Sequence, residues 1–221
     1  MKKKLILTMV LLALLLTLTA QDNPEYSPGD QSLMLVPTAY TMPAGSHAIT
    51  DYEVFFVQYA HSFFGNTHLS IMSMLPFTKE FHKTITLGAK HRYLANGIVQ
   101  SAAFGSFIPD NGTFVVGNVV SIGQPSTSLH LGLGYGWEKG EGFDAPIIYL
   151  GARNNVSKKV AFMLEYGSSL IPTDGDLDSL VSFGVRFIGN TISWDLGGFR
   201  PIGVDLGNAY FIPVLKATFE F

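Results

Sequence analysis

Phe211-Ile-Pro-Val-Leu-Lys-Ala-Thr-Phe-Glu-Phe221 alternates from Leu215 onward: Leu215, Ala217, Phe219 and Phe221 point one way, Lys216, Thr218 and Glu220 the other. A strand sends successive side chains to opposite faces, so this segment has one oily face and one ionic face. The same two-residue period recurs upstream. In Ser128–Trp137, Leu129, Leu131, Leu133, Tyr135 and Trp137 oppose Ser128, His130, Gly132, Gly134 and Gly136. Val160, Phe162, Leu164 and Tyr166 oppose Ala161, Met163 and Glu165. Val181, Phe183, Val185 and Phe187 oppose Ser182, Gly184 and Arg186. Ile192, Trp194 and Leu196 oppose Ser193, Asp195 and Gly197.

Further strands are expected at 67–75, 83–94, 98–108, 113–122 and 146–154, with Pro-Asp-Asn-Gly between the third and fourth of these as a hairpin signal. The run 48–61 is strand-forming throughout, and its facing stays open; Gln58 inward would put Phe55, Val57 and Tyr59 outward. Ser32–Tyr40 is a candidate first strand despite Pro37, which lacks a ladder donor. The count is then twelve, with ten as the alternative.

The chain is 221 residues long, with 23 Gly, 17 Phe, 9 Tyr, no Cys and 14% charged residues. That composition suits one all-β domain with an apolar surface, and it excludes disulfides and thiolate metal sites. Residues 1–20 have a basic start, an apolar run and a small residue before Gln21, the pattern of a cleaved signal peptide. Removing Lys2, Lys3 and Lys4 leaves 14 − 3 = 11 basic against 17 acidic residues, a net charge of −6 that argues against a nucleic-acid partner. Residues 21–30 are expected to be a polar periplasmic lead-in, and 31–221 the barrel.

With its alternating strands and a last strand ending in Phe219 and Phe221, the chain resembles bacterial outer-membrane β-barrel proteins. The resemblance implies a closed antiparallel transmembrane barrel in the outer membrane of a Gram-negative bacterium. It also implies that Leu215, Ala217, Phe219 and Phe221 form a signal for the barrel-assembly machinery. Outer-membrane lipid would be the other partner. Connections after residues 94, 123, 154 and 188 are short, whereas those after 138, 170 and 201 are longer, as expected of short periplasmic turns and longer outer loops. Tyr93, Tyr135, Trp137, Tyr166, Phe187, Trp194 and Phe211 would form lipid-facing girdles at the two interfaces.

The opposite face would line the lumen with Lys90, Arg92, Arg153, Arg186 and Lys216 against Glu165, Asp195 and Glu220. Isolated buried charge is very costly, so these groups must be paired or hydrated. A mutually satisfied network gives a structural or surface-interaction barrel. A hydrated lumen with Arg92, Arg153 and Arg186 near one mouth gives a small pore with weak anion preference. A lipid-modifying enzyme is the third class. It is disfavoured because no Gly-x-Ser-x-Gly elbow occurs, and because Ser128 and His130, about 7 Å apart along one strand, lie too far apart for a direct pair. No cofactor is expected. The histidines show no metal-ligand spacing; Asp174, Asp176 and Asp178 resemble the opening of a calcium loop, but Val185 stands where the closing Glu belongs.

Overall fold

The computed structural model describes residues 26–221 except 78, 139–140, 143–145, 171–178 and 208. The expected signal peptide and the Asp174–Asp178 motif lie outside the described residues.

Alternating sequence becomes twelve barrel strands: β1 (His47–Tyr52), β2 (Phe56–Ser62), β3 (Thr67–Met74), β4 (Thr86–Asn96), β5 (Val99–Ile108), β6 (Thr113–Gln124), β7 (Thr127–Glu138), β9 (Ile147–Ser157), β10 (Val160–Ser169), β11 (Ser179–Ile188), β12 (Ile192–Ile202) and β13 (Ile212–Glu220). Each pairs antiparallel with both neighbours, and β1 meets β13 to close the cylinder. The two-residue strand β8 (Glu141–Gly142) only extends the end of β7. Closure leaves no open sheet edge, which is what permits strands to cross hydrocarbon.

The strand total equals the expected one, but two of its parts differ. The run 48–61 is two strands, β1 and β2, in register Tyr52↔Phe56 around the turn 53–55. Glu53 and Val54 there take φ of 59° and 63°, left-handed values that a sequence without Gly or Asn does not announce. Hydrogen bonds to β13 hold the turn: Glu53 N donates to Leu215 O at 2.9 Å, and Leu215 N donates to Glu53 Oε1 at 2.8 Å. Ser32–Tyr40, in contrast, is no barrel strand. It makes one isolated bridge, Ser32↔Pro37, and runs through the interior. Residues 26–30, read from sequence as part of the lead-in, run with it.

Facing follows the two-residue period. Leu131, Leu133, Tyr135, Trp137, Phe187, Trp194 and Phe211 lie on the outer surface, as do Tyr93, at a bulge between Arg92 and Leu94, and half-buried Tyr166. In β2, Tyr59 is exposed while Ala60 and Ser62 are buried, so Gln58 shares the inward face. The connections at 63–66, 97–98, 125–126, 158–159 and 189–191 share one end of the barrel with both of its chain ends, His47 and Glu220; at the other end 53–55 and 109–112 are equally short and the remaining connections are longer.

Candidate functional site in the barrel lumen

Residues 26–42 enter the lumen from the short-turn end, fold back on themselves and return there to start β1. The fold-back is pinned by Leu33 N donating to Val36 O at 2.9 Å and Thr38 N donating to Gln31 O at 3.1 Å. Leu33, Met34, Ala39, Tyr40 and Met42 are all buried against the wall. Met34 lies over Gly184 and Gly197 with its sulfur where a Gly184 Cβ would be, and Leu33 lies over Gly151. These inward glycines make room for a segment of the chain itself.

A strand in a sheet satisfies its carbonyls with a neighbouring ladder; this segment has none and takes donors from the wall. Lys90 Nζ donates to Gln31 O at 2.7 Å and Thr38 O at 3.0 Å. Arg186 donates to Gly29 O at 2.8 Å and Ser32 O at 3.0 Å. Lys216 Nζ donates to Leu33 O, and Tyr149 Oη to Pro37 O at 3.1 Å. Segment N–H groups find wall acceptors: Leu35 N and Val36 N donate to Glu165 Oε1 at 3.1 and 3.2 Å, Gly29 N to Glu220 Oε1 at 3.0 Å, and Ala39 N to Ser121 Oγ at 2.8 Å.

The segment also brings a charge. Asp30 accepts from Arg153 Nη1 and sits 3.7 Å from Arg186 Nη1. Arg186 in turn grips Asp195 through Nε at 2.6 Å and Nη2 at 2.8 Å, and Lys216 Nζ lies 3.0 Å from Asp195 Oδ2. At the mouth, the Tyr26 hydroxyl lies 2.7 Å from Gln31 Oε1 and 3.0 Å from Glu220 Oε1. Burial, and then the Glu220 charge, push this phenol well above its ordinary range, which keeps it a neutral donor.

Of the eight charges assigned to the lumen from sequence, Lys90, Arg153, Glu165, Arg186, Asp195, Lys216 and Glu220 all bond to the segment or to a group that holds it. Arg92 stands apart, half-buried near the rim, donating to Gln100 Oε1 at 3.0 Å and Gly65 O at 3.2 Å. Arg92 is therefore not among the groups that hold the segment. What sequence missed is the partner: Asp30 and the backbone carbonyls of 29–38. The available signal was an imbalance, five bases against three acids among the inward positions.

Ser128 and His130 require a correction. Their Oγ and Nε2 are 3.0 Å apart, because the imidazole lies along the strand and spans the gap between backbones. The other ring nitrogen lies 2.7 Å from Ser121 Oγ, and the Tyr40 ring meets the imidazole edge-on at 5.8 Å. Ser128 and His130 are 1% and 2% exposed, so the pair is sealed beneath the segment.

Burial of inward side chains extends to every barrel strand. Thr50, Ala60, His68, Lys90, Ala102, Val119, His130, Arg153, Glu165, Arg186, Asp195 and Lys216, one from each barrel strand, are all buried inward residues.

Among solved structures, the KdgM porin in complex with disordered oligogalacturonate matches at TM-score 0.57 and 8% identity, over 80% of this chain and 98% of that one. A second KdgM porin structure matches at 0.52 and 7%, over 80% and 96%. The fold is that of an outer-membrane β-barrel. The NanC porin matches at 0.48 and 7%, over 79% of this chain and 97% of that chain. No family model matches the chain, and no curated protein matches it in sequence.

Proposed function

We propose that this protein is a porin-like outer-membrane barrel that does not conduct at rest, its lumen occupied by residues 26–42. Its role is then structural or directed to the surface through the long-loop end. The observation that carries this is that every barrel strand contributes a buried inward side chain, and that four of these, Lys90, Glu165, Arg186 and Lys216, bind the backbone of the segment. An open porin needs a hydrated path along its axis, and a segment bound to the wall along its length takes that space. The short-turn end, where the segment enters, would face the periplasm.

A second reading is a channel that opens when the segment leaves. It is favoured by two wall cations. Among the described residues, the only carboxylate within ion-pair distance of Arg153 is Asp30, and Lys90 has none. An emptied lumen would therefore favour anions, in keeping with a fold shared with a porin solved with oligogalacturonate. An enzymatic role is disfavoured, since the Ser128–His130 contact is sealed and the other ring nitrogen of His130 meets Ser121 rather than a carboxylate.

Planar-bilayer conductance tests the proposal. The intact protein should give no steady current, and deletion of 26–42 should give stepwise openings with anion preference at low salt. Steady conductance of the intact protein equal to that of the deletion would overturn it.

A further inference from the structure

The segment is held as a ligand is held: one carboxylate and a series of carbonyl oxygens, received by cations that belong to the wall. We propose that Arg153 and Arg186 form a carboxylate seat which Asp30 occupies at rest, and that a polycarboxylate guest opens the barrel by taking that seat. This rests on the closed-barrel reading above and adds what releases it.

The seat is built on the wall. Arg153 comes from β9 and its Nε is fixed by Asn155 Oδ1 at 3.1 Å; Arg186 comes from β11 and is fixed by Asp195 across the β11–β12 ladder. Both guanidinium groups are therefore oriented by wall residues before Asp30 arrives, and they are 2% and 0% exposed. Asp30 itself is steadied by a local turn, with Ser27 N donating to Oδ2 at 2.7 Å, and it is the one segment side chain that brings a carboxylate to the two guanidinium groups. Lys90 and Lys216 extend the track, since both donate to segment carbonyls that a guest's further oxygens would replace. Paired guanidinium donors suit carboxylates better than a spherical anion such as chloride, because the fork matches two oxygens at once.

Only residues 43–46 join the segment to β1, and Pro43, Ala44 and Gly45 are exposed. A protease site inserted there lets the protein fold intact and be cut afterwards, so folding is not what the experiment measures. The cut protein is placed in a planar bilayer and titrated with citrate or with chloride at matched ionic strength. Citrate should open current and release the severed N-terminal segment at about tenfold lower concentration than chloride, the worth of one charge-assisted contact. Arg153→Gln should abolish the citrate advantage. If that variant fails to assemble, Asp30→Asn weakens the occupant and leaves the seat, and should lower the citrate needed. Citrate no better than chloride on a barrel that is closed before cutting would overturn this inference alone. An uncut barrel that already conducts would overturn the closed-barrel reading, and this one with it.

Discussion

Arg186 and Asp195 stand directly opposite each other across the β11–β12 ladder, and the guanidinium holds the carboxylate through two bonds of 2.6 and 2.8 Å. Lys216 approaches the same carboxylate from β13. This cluster ties three consecutive wall strands together without help from the lumen segment.

Asp195→Asn should therefore weaken the barrel itself, because it removes the carboxylate shared by two buried cations and, among the described residues, leaves Arg186 only Asp30 at 3.7 Å. Removing one partner of a buried pair costs about 3–5 kcal/mol. Urea unfolding in detergent micelles, followed by heat-modifiable mobility, should show the midpoint falling sharply. An unchanged midpoint would mean that Arg186 and Lys216 are solvated or paired elsewhere.

Leu131 and Gly132 are neighbours on β7 that face opposite ways. Leu131→Arg puts a cation on the outer surface and should cost about 2–4 kcal/mol near mid-membrane. Gly132→Ala is inward, and its added methyl would meet the Tyr149 ring. It should disturb the Tyr149–Pro37 bond and loosen the segment, seen as faster proteolysis at 26–42 with the barrel still folded. Tolerance of Leu131→Arg together with unfolding by Gly132→Ala would mean that the facing is inverted.

The 53–55 turn stores strain. A β-branched residue in the left-handed region carries a penalty of about 1–2 kcal/mol that glycine avoids, and Val54 sits there at φ 63°. Val54→Gly should stabilise the folded barrel by about 1 kcal/mol, read as a higher urea midpoint. A lower midpoint would show that the Val54 side chain contributes more than its backbone strain removes.

That turn also shows where sequence stops being informative. Strand facing in β7, β10, β11 and β12 was legible because lipid on one side and the lumen on the other enforce a strict two-residue period. The break inside 48–61 was not, since the turn is held by the bonds Glu53 makes to Leu215, which lies far away in the chain. Ser32–Tyr40 has the composition of a strand but not its environment: Leu33 and Met34 are adjacent and both buried, which a one-sided strand does not allow. The lumen charges could be named from alternation, but their main counter-group could not. Asp30 sits in a polar Pro-Gly-Asp stretch whose sequence reads as a loose lead-in.

Residues 26–42 inside the lumen are the central claim, and cross-linking tests it most directly. The chain has no cysteine. Leu33 Cδ1 lies 2.5 Å from where a Gly151 Cβ would be, so the two positions face each other in contact, and a Leu33→Cys, Gly151→Cys double variant brings two thiols together for oxidation. Oxidation of the folded, membrane-inserted double variant should form the bond in most molecules, detected as a shift in denatured mobility that reductant reverses. The single variants should show no such shift. A folded double variant whose thiols stay free and react with a water-soluble maleimide at the rate of the unfolded chain would contradict the account.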